Sequence, residues 1–159
     1  MQPTPNGRLH IGHVAGPYLR ADILARSLRR DGNRVVVACG TDVWENWVVL
    51  AAQRAGENPH DLATKFHEAI RMDLTSLQII PDLWINPLDD KYRNSYDRMH
   101  ERLVREMIEV GTCVLRTESV AVSPATGKYV IGTWIVGKCP ECQREVAGNS
   151  CVNCGAGFQ

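Results

Sequence analysis

Two groups of residues in this sequence have types and spacings suited to chemistry. The first is a pair of histidines, His10 and His13, in the segment Asn6-Gly7-Arg8-Leu9-His10-Ile11-Gly12-His13. Asn6-Gly7 makes a tight turn, and a helical pattern follows. Residues three apart share one side of a helical turn, so both imidazoles face the same way. The glycine between them lets another group approach the backbone closely. Helix N-termini attract anions through free N–H groups and the helix dipole. Imidazole N–H groups beside such a terminus could hold a polyphosphate and stabilise charge developing at phosphorus. The plainer alternative is a surface helix start that carries two unrelated histidines.

The second group is Cys139, Cys142, Cys151 and Cys154, which read Cys-x2-Cys-x8-Cys-x2-Cys. Each pair can present two thiolates from one tight turn, and the short spacer brings the pairs together. Four thiolates make a closed tetrahedral site, the form of a structural zinc centre. An open catalytic position would need a missing ligand, and none is missing. A redox motif would need just one pair in a strand-to-helix setting. The segment is thin in apolar residues, so zinc binding is expected to contribute outright to its folding.

Asp42 is a third candidate. It follows Arg34 to Cys39, a short apolar run with three adjacent valines, which reads as a strand buried on both faces of a parallel sheet. Ligands of open parallel sheets sit at the carboxyl ends of strands, where an aspartate could pair with a ligand ammonium group. The alternative is that Asp42 caps a helix over about Val43 to Ala55.

The other elements follow from periodicity. Val14, Tyr18, Ala21, Ala25 and Leu28 recur at helical spacing up to about Arg30, with Gly32 as a stop. Pro17 requires that helix to begin there or to be distorted there. Asn58 caps and Pro59 opens a helix to about Leu77, and Tyr92 to Val110 forms a long amphipathic helix ended by Gly111. Pro81 to Asp90 reads as a loop or short strand holding Trp84. Short β-rich pieces, Cys113 to Val122 and Tyr129 to Val136, lead to the cysteines. A lone buried strand cannot be satisfied, so at least one further strand is expected before Thr4 and others beyond Gln159.

Bulk properties narrow the function classes. Lysine plus arginine equals aspartate plus glutamate, 18 each, in 159 residues. This argues against a surface that grips nucleic acid mainly through phosphates. No run approaches the roughly 18 apolar residues of a membrane span, so no membrane partner is expected. No signal peptide is visible. Of six cysteines, Cys39 and Cys113 stand alone in apolar segments. The pattern reads as metal binding in a reducing compartment, and the expected location is cytoplasmic. His60, His67 and His100 lie on amphipathic helices without metal spacing and read as structural or solvated. Arg26, Arg29, Arg30 and Arg34 read as a solvated cluster that complements a helix dipole. Trp47, Trp84 and Trp134 read as packing residues.

Pro5-Asn6-Gly7-x-x-His10-Ile11-Gly12-His13 resembles the "HIGH" element of class I aminoacyl-tRNA synthetases with its Pro-x-x-Asn-Gly lead-in. The order and spacing of turn, aspartate and zinc knuckle resemble the methionyl-tRNA synthetase type, and the resemblance spans nearly the whole chain. It implies an α/β fold: a Rossmann-like (HUP-type) nucleotide-binding half-domain over 1–111, with a small β/zinc-knuckle connective module over 112–159.

It also implies ATP-dependent activation of an amino acid, methionine by type, for attachment to tRNA. His10 and His13 would be catalytic, and with Asn6, Gly7 and Gly12 they would bind ATP, as its Mg2+ complex. Asp42 would hold the amino group, with Thr4 and Trp44 beside the amino acid, and the four cysteines would hold Zn2+. Two departures bear on the substrate. Val43-Trp44-Glu45-Asn46 stands where the family reads an acidic or small residue and then His-Gly, and Thr4 stands where methionine enzymes often have tyrosine.

No Lys-Met-Ser-Lys-Ser element occurs in the 159 residues. The expectation is therefore an incomplete chain that does not aminoacylate tRNA alone and would meet tRNA through regions mostly outside it. The alternatives are a catalytically inactive synthetase-like paralogue that binds a ligand or partner, and a zinc-stabilised RNA-binding module. Apart from Arg144, basic residues are lacking from Cys142 to Cys154, which counts against the last.

Overall fold

The computed structural model describes residues 2–117, 119–130, 132–148 and 150–157. Its contacts divide the chain into two compact units, Met1–Glu106 and Met107–Gln159.

The first unit opens with the turn and one helical run in three parts. A short α1 (Ile11–His13) passes into a π-helical turn (Val14–Tyr18) and then into α2 (Leu19–Arg30). Pro17 lies inside the π-helical turn. Proline has no N–H and crowds the preceding turn, so the wider turn is the distortion its position requires.

Next come β1 (Ala38–Gly40), α3 (Asn46–Ala55), α4 (Pro59–Ser76), β2 (Leu83–Ile85) and α5 (Asp90–Glu109). Asn58 caps α4 by accepting from the His60 amide at 2.8 Å, with Pro59 in the first turn, as expected.

β1 and β2 pair in parallel, with Ala38, Cys39 and Gly40 opposite Leu83, Trp84 and Ile85. The expected strand over Arg34 to Cys39 is therefore shorter and lies later. It is also not buried on both faces: Val36 is 66% exposed. The reason lies in a partner far along the chain. Asp82 accepts from the Val37 amide at 2.7 Å, and Leu83 donates to the Val37 carbonyl, so the ladder begins only there. On the N-terminal side, the Asp42 amide donates to the Pro3 carbonyl at 2.9 Å, so the segment before Thr4 lies beside the end of β1.

Asp42 does not cap α3. That helix begins at Asn46, Glu45 takes the cap position without a side-chain bond, and Val43-Trp44 forms a turn.

Two apolar clusters hold this unit. Val43, Val48, Ala52, Leu62, Ala63 and Leu88 join α3 to α4. Tyr18, Ile70, Leu74 and Ile79 pack α4 against the helical run, β1 and β2, with Leu9, Val14, Cys39 and Trp84 alongside.

In the second unit, a 3-10 turn (Gly132–Trp134) leads to an antiparallel hairpin of β3 (Val136–Lys138) and β4 (Glu145–Ala147). The β-rich pieces expected over Cys113 to Val122 and Tyr129 to Val136 reduce to one bridge, Val122 to Tyr129, and the start of β3. Glu118 and Ile131 of those stretches lie outside the described residues. Pairing here is set by the Ser123–Gly127 turn, where the Gly127 amide donates to the Ser123 carbonyl at 2.8 Å.

Candidate functional site

The histidine turn is built from both sides. The Asn6 amide donates to the Thr4 carbonyl at 2.9 Å, which closes the turn between buried Pro5 and half-buried Gly7. Arg8 and Asp73 of α4 form a two-point ion pair, with Arg8 Nε 3.2 Å from Asp73 Oδ2. Hydrogen bonding from Arg8 holds the Asp73 carboxyl below its usual range, with help from the Leu9 amide. Thus α4 grips the turn two residues before His10.

His10 has extended backbone angles and caps the helical run, its Nδ1 accepting from the Gly12 amide at 3.1 Å. With Nδ1 as the acceptor, the proton sits on Nε2, which is left free to donate. The His10 and His13 rings stack, with centroids 3.8 Å apart and 24° between planes. Burial, and then the neighbouring charge of His10, lowers the pKa of His13. Among the described residues its buried Nδ1 has no hydrogen-bond partner.

Gly12 is needed sterically, because a Cβ there would stand 3.0 Å from His10 Cε1 and 3.1 Å from Nδ1. The site therefore offers one outward N–H, an adjacent imidazole held toward its neutral form, and an open backbone between them. Asn6 is exposed on the lead-in turn.

Asp42 sits at the carboxyl end of β1, half-buried, tied through its amide to Pro3. Among the described residues its carboxylate makes no hydrogen bond or ion pair. Its charge is felt by Tyr96 of α5, whose phenol is pushed up by burial first and by Asp42 next. Half-buried Thr4 follows Pro3 directly, so Thr4 and Asp42 belong to neighbouring segments. Trp44 is 54% exposed and lines a groove of about 310 Å³ with Val43, Val48, Pro59, Ala63 and Leu88. Asp42 does not line that groove, so Trp44 and Asp42 face different spaces.

Two residues that sequence reasoning passed over belong to this end of the sheet. His67 is 2% exposed, and its Nδ1 lies 2.8 Å from the hydroxyl of fully buried Thr41. Tyr96 lies within electrostatic reach of Asp42. Neither has a signal in local spacing. The partners are 26 residues apart in the first case, and helical periodicity says nothing about which neighbour a face meets.

The four cysteine sulfurs lie within 4.8 Å of one another. Both pairs use the same turn. The Gln143 amide donates to the Cys139 carbonyl at 2.9 Å, and the Gly155 amide to the Cys151 carbonyl at 2.8 Å. Cys139 Sγ lies 3.7 Å from Cys154 Sγ, and Cys142 Sγ lies 3.6 Å from Cys151 Sγ. A tetrahedron with zinc–sulfur bonds of about 2.3 Å has sulfur–sulfur edges of about 3.8 Å, so the donor set fits that ion in kind and size. Burial pushes the Cys151 thiol up, but amides of Cys154 and Asn153 and the Cys142 thiol outweigh it and bring it to about 6. Two Cys-x2-Cys turns converging on one point suit a metal site over a redox pair, which would need only one.

Among the described residues no helix is long and apolar enough to cross a membrane.

The family profile of class I tRNA synthetases (M) matches residues 2–159. A methionine--tRNA ligase of Bifidobacterium animalis subsp. lactis is 35% identical over 158 residues, covering 96% of this chain and 24% of that protein. The methionine--tRNA ligase of a Nocardioides species is 36% identical over 158 residues, covering 96% of this chain and 25% of that protein. Among solved structures, Mycobacterium tuberculosis methionyl-tRNA synthetase bound by methionyl-adenylate matches with a TM-score of 0.53 and 31% identity, covering 56% of this chain and 17% of that one. The chain thus spans about a quarter of the length of the curated relatives it matches.

Proposed function

This chain belongs to the class I tRNA synthetases of the methionine type, and from that premise we propose that it carries the ATP- and amino-acid-binding half of a methionine-activating site. The proposed reaction is attack of the methionine carboxylate on the ATP α-phosphate, which forms an acyl-phosphate bond and releases pyrophosphate. The aminoacyl group then passes to tRNA through parts of the enzyme mostly outside this chain.

In this reading the His10 Nε2–H donates to phosphate oxygens and His13 supplies a second donor from the same face. Donors fixed before the reaction stabilise the charge that develops at phosphorus without reorganising. Gly12 leaves the backbone open to the nucleotide, and Asn6-Gly7 shapes the turn beneath it. ATP would enter as its magnesium complex. Asp42 holds the substrate ammonium group, and a carboxylate without a hydrogen-bond or ion-pair partner among the described residues suits that role. Thr4 bounds the amino-acid side chain from the segment beside Asp42, and Trp44, which lines a separate groove in the free chain, would have to turn toward Asp42 to join it. Discrimination among apolar side chains rests on small pocket differences, about 1–3 kcal/mol each.

The observation that carries the reading is the bond from the Asp42 amide to the Pro3 carbonyl. It ties the candidate amine-binding carboxylate to the segment that bears the two histidines. Amine and phosphate recognition would then lie on neighbouring segments, as a reaction between the two substrates requires.

The cysteine site is proposed to hold structural Zn2+, which supplies cross-linking and no chemistry. The expected setting is the cytoplasm. Methionine-dependent ATP–pyrophosphate exchange by the gene product that carries this chain tests the reading. Exchange that depends on His10, His13 and Asp42 supports it. Tight ATP binding with no exchange would instead favour an inactive, ligand-binding paralogue.

A further inference from the structure

We propose that His67 is a positioning residue, which fixes through Thr41 the place from which Asp42 is presented. The inference rests on the amino-acid-binding reading of Asp42 given above.

Thr41 and His67 are the polar pair at the carboxyl end of β1. Thr41 has no exposed surface, His67 is 2% exposed, and Thr41 Oγ1 and His67 Nδ1 are 2.8 Å apart. A buried hydroxyl or imidazole without its partner carries the full cost of its desolvation, so each holds the other in place.

The His67 ring is in turn confined. The Trp84 ring of β2 stands 5.0 Å away, tilted by 33°, and Nε2 lies 3.9 Å from Glu68 Oε1. On the chain, Thr41 sits between two fixed residues. Gly40 lies against the Ile85 carbonyl, and the Asp42 amide is bonded to Pro3. The Thr41 side chain is therefore a direct polar link by which α4 holds the turn of backbone at Asp42. A carboxylate that must meet an ammonium group at a defined point gains from such a link, since a misplacement of about 1 Å can cost about 100-fold. An apolar pair would pack as well, but it would fix no angle.

The test uses the whole chain and two readouts: amide hydrogen exchange at Asp42, and calorimetric titration with L-methionine. The variants are His67→Ala, Thr41→Val and His67→Asn. The asparagine amide can reach the place of Nδ1, so the last variant is the rescue. Asp42 exchange is expected to accelerate roughly tenfold in His67→Ala and Thr41→Val, and to stay near the parent rate in His67→Asn. Methionine affinity should follow the same order.

Parent-like exchange in His67→Ala, or equal acceleration in His67→Ala and His67→Asn, would overturn the proposal. If His67→Ala does not fold, Thr41→Val against His67→Asn carries the same contrast. Exchange in the expected order with no methionine binding by the parent chain supports the positioning role and defeats the amino-acid reading. Binding that survives Asp42→Asn defeats that reading separately.

Discussion

Gly40 lies so close against Ile85 that a Cβ on it would stand 2.3 Å from the Ile85 carbonyl oxygen. The clash would be with backbone, which cannot swing away as a flexible side chain can. Gly40→Ala is therefore expected to push β1 from β2 and destabilise the first unit by about 2 kcal/mol or more. Chemical denaturation checks this, with a lower midpoint at unchanged slope as the expected result. It should also weaken ligand binding, because Thr41 and Asp42 follow directly.

Gly12→Ala should behave in the opposite way. The added Cβ meets the exposed His10 ring at 3.0 Å, so the ring can move and the fold is spared. Alanine also favours helix over glycine by about 1 kcal/mol. Stability should stay level or rise while ATP affinity falls roughly tenfold, as the His10–Gly12 bond and the imidazole stack are lost. Thermal melts and nucleotide titration on one sample separate the two effects.

Zinc content should be one ion per chain. A cobalt-substituted sample should show the absorption of tetrahedral thiolate coordination. Chelation, or Cys142→Ser, should unfold the residues around β3 and β4 and leave the first unit's exchange protection intact, because ion binding there is folding energy. Retention of hairpin protection after complete zinc removal would count against a structural ion.

Acid should weaken the first unit through His67. Its pKa is lowered from 6.5, by burial first and by Arg71, against the opposing pull of Glu68 and Asp89. A histidine kept neutral in the fold binds its proton more readily when unfolded. The stability it supports is thus present above pH 6.5 and lost as pH falls from there toward its folded pKa. The slope from one such group is at most about 1.4 kcal/mol per pH unit. His13 is shifted the same way. Denaturation midpoints between pH 7.5 and 5 should fall in the parent and fall less in His67→Asn.

Chemistry that repeats at short range was legible in the sequence. The histidine turn, the two cysteine pairs, the Asn58 cap and the distortion at Pro17 are all set by neighbours within a few residues. What was not legible depends on partners far along the chain. The valine run looked like a fully buried strand, but its pairing is decided by Asp82, 45 residues on from Val37, and Val36 is left exposed. His67 looked like any histidine on an amphipathic helix until Thr41 came to lie against it. Asp42 looked equally like a cap, and only the start of α3 at Asn46 removes that role.

On the proposed function, the histidine turn and Asp42 form one binding surface for an activated amino acid. Calorimetric titration of this chain with a non-hydrolysable methionyl-adenylate analogue tests it most directly. Binding is expected at one site per chain, weakened at least about tenfold by His10→Ala with His13→Ala and separately by Asp42→Asn. Absence of binding, or binding indifferent to both sets of substitutions, would contradict it.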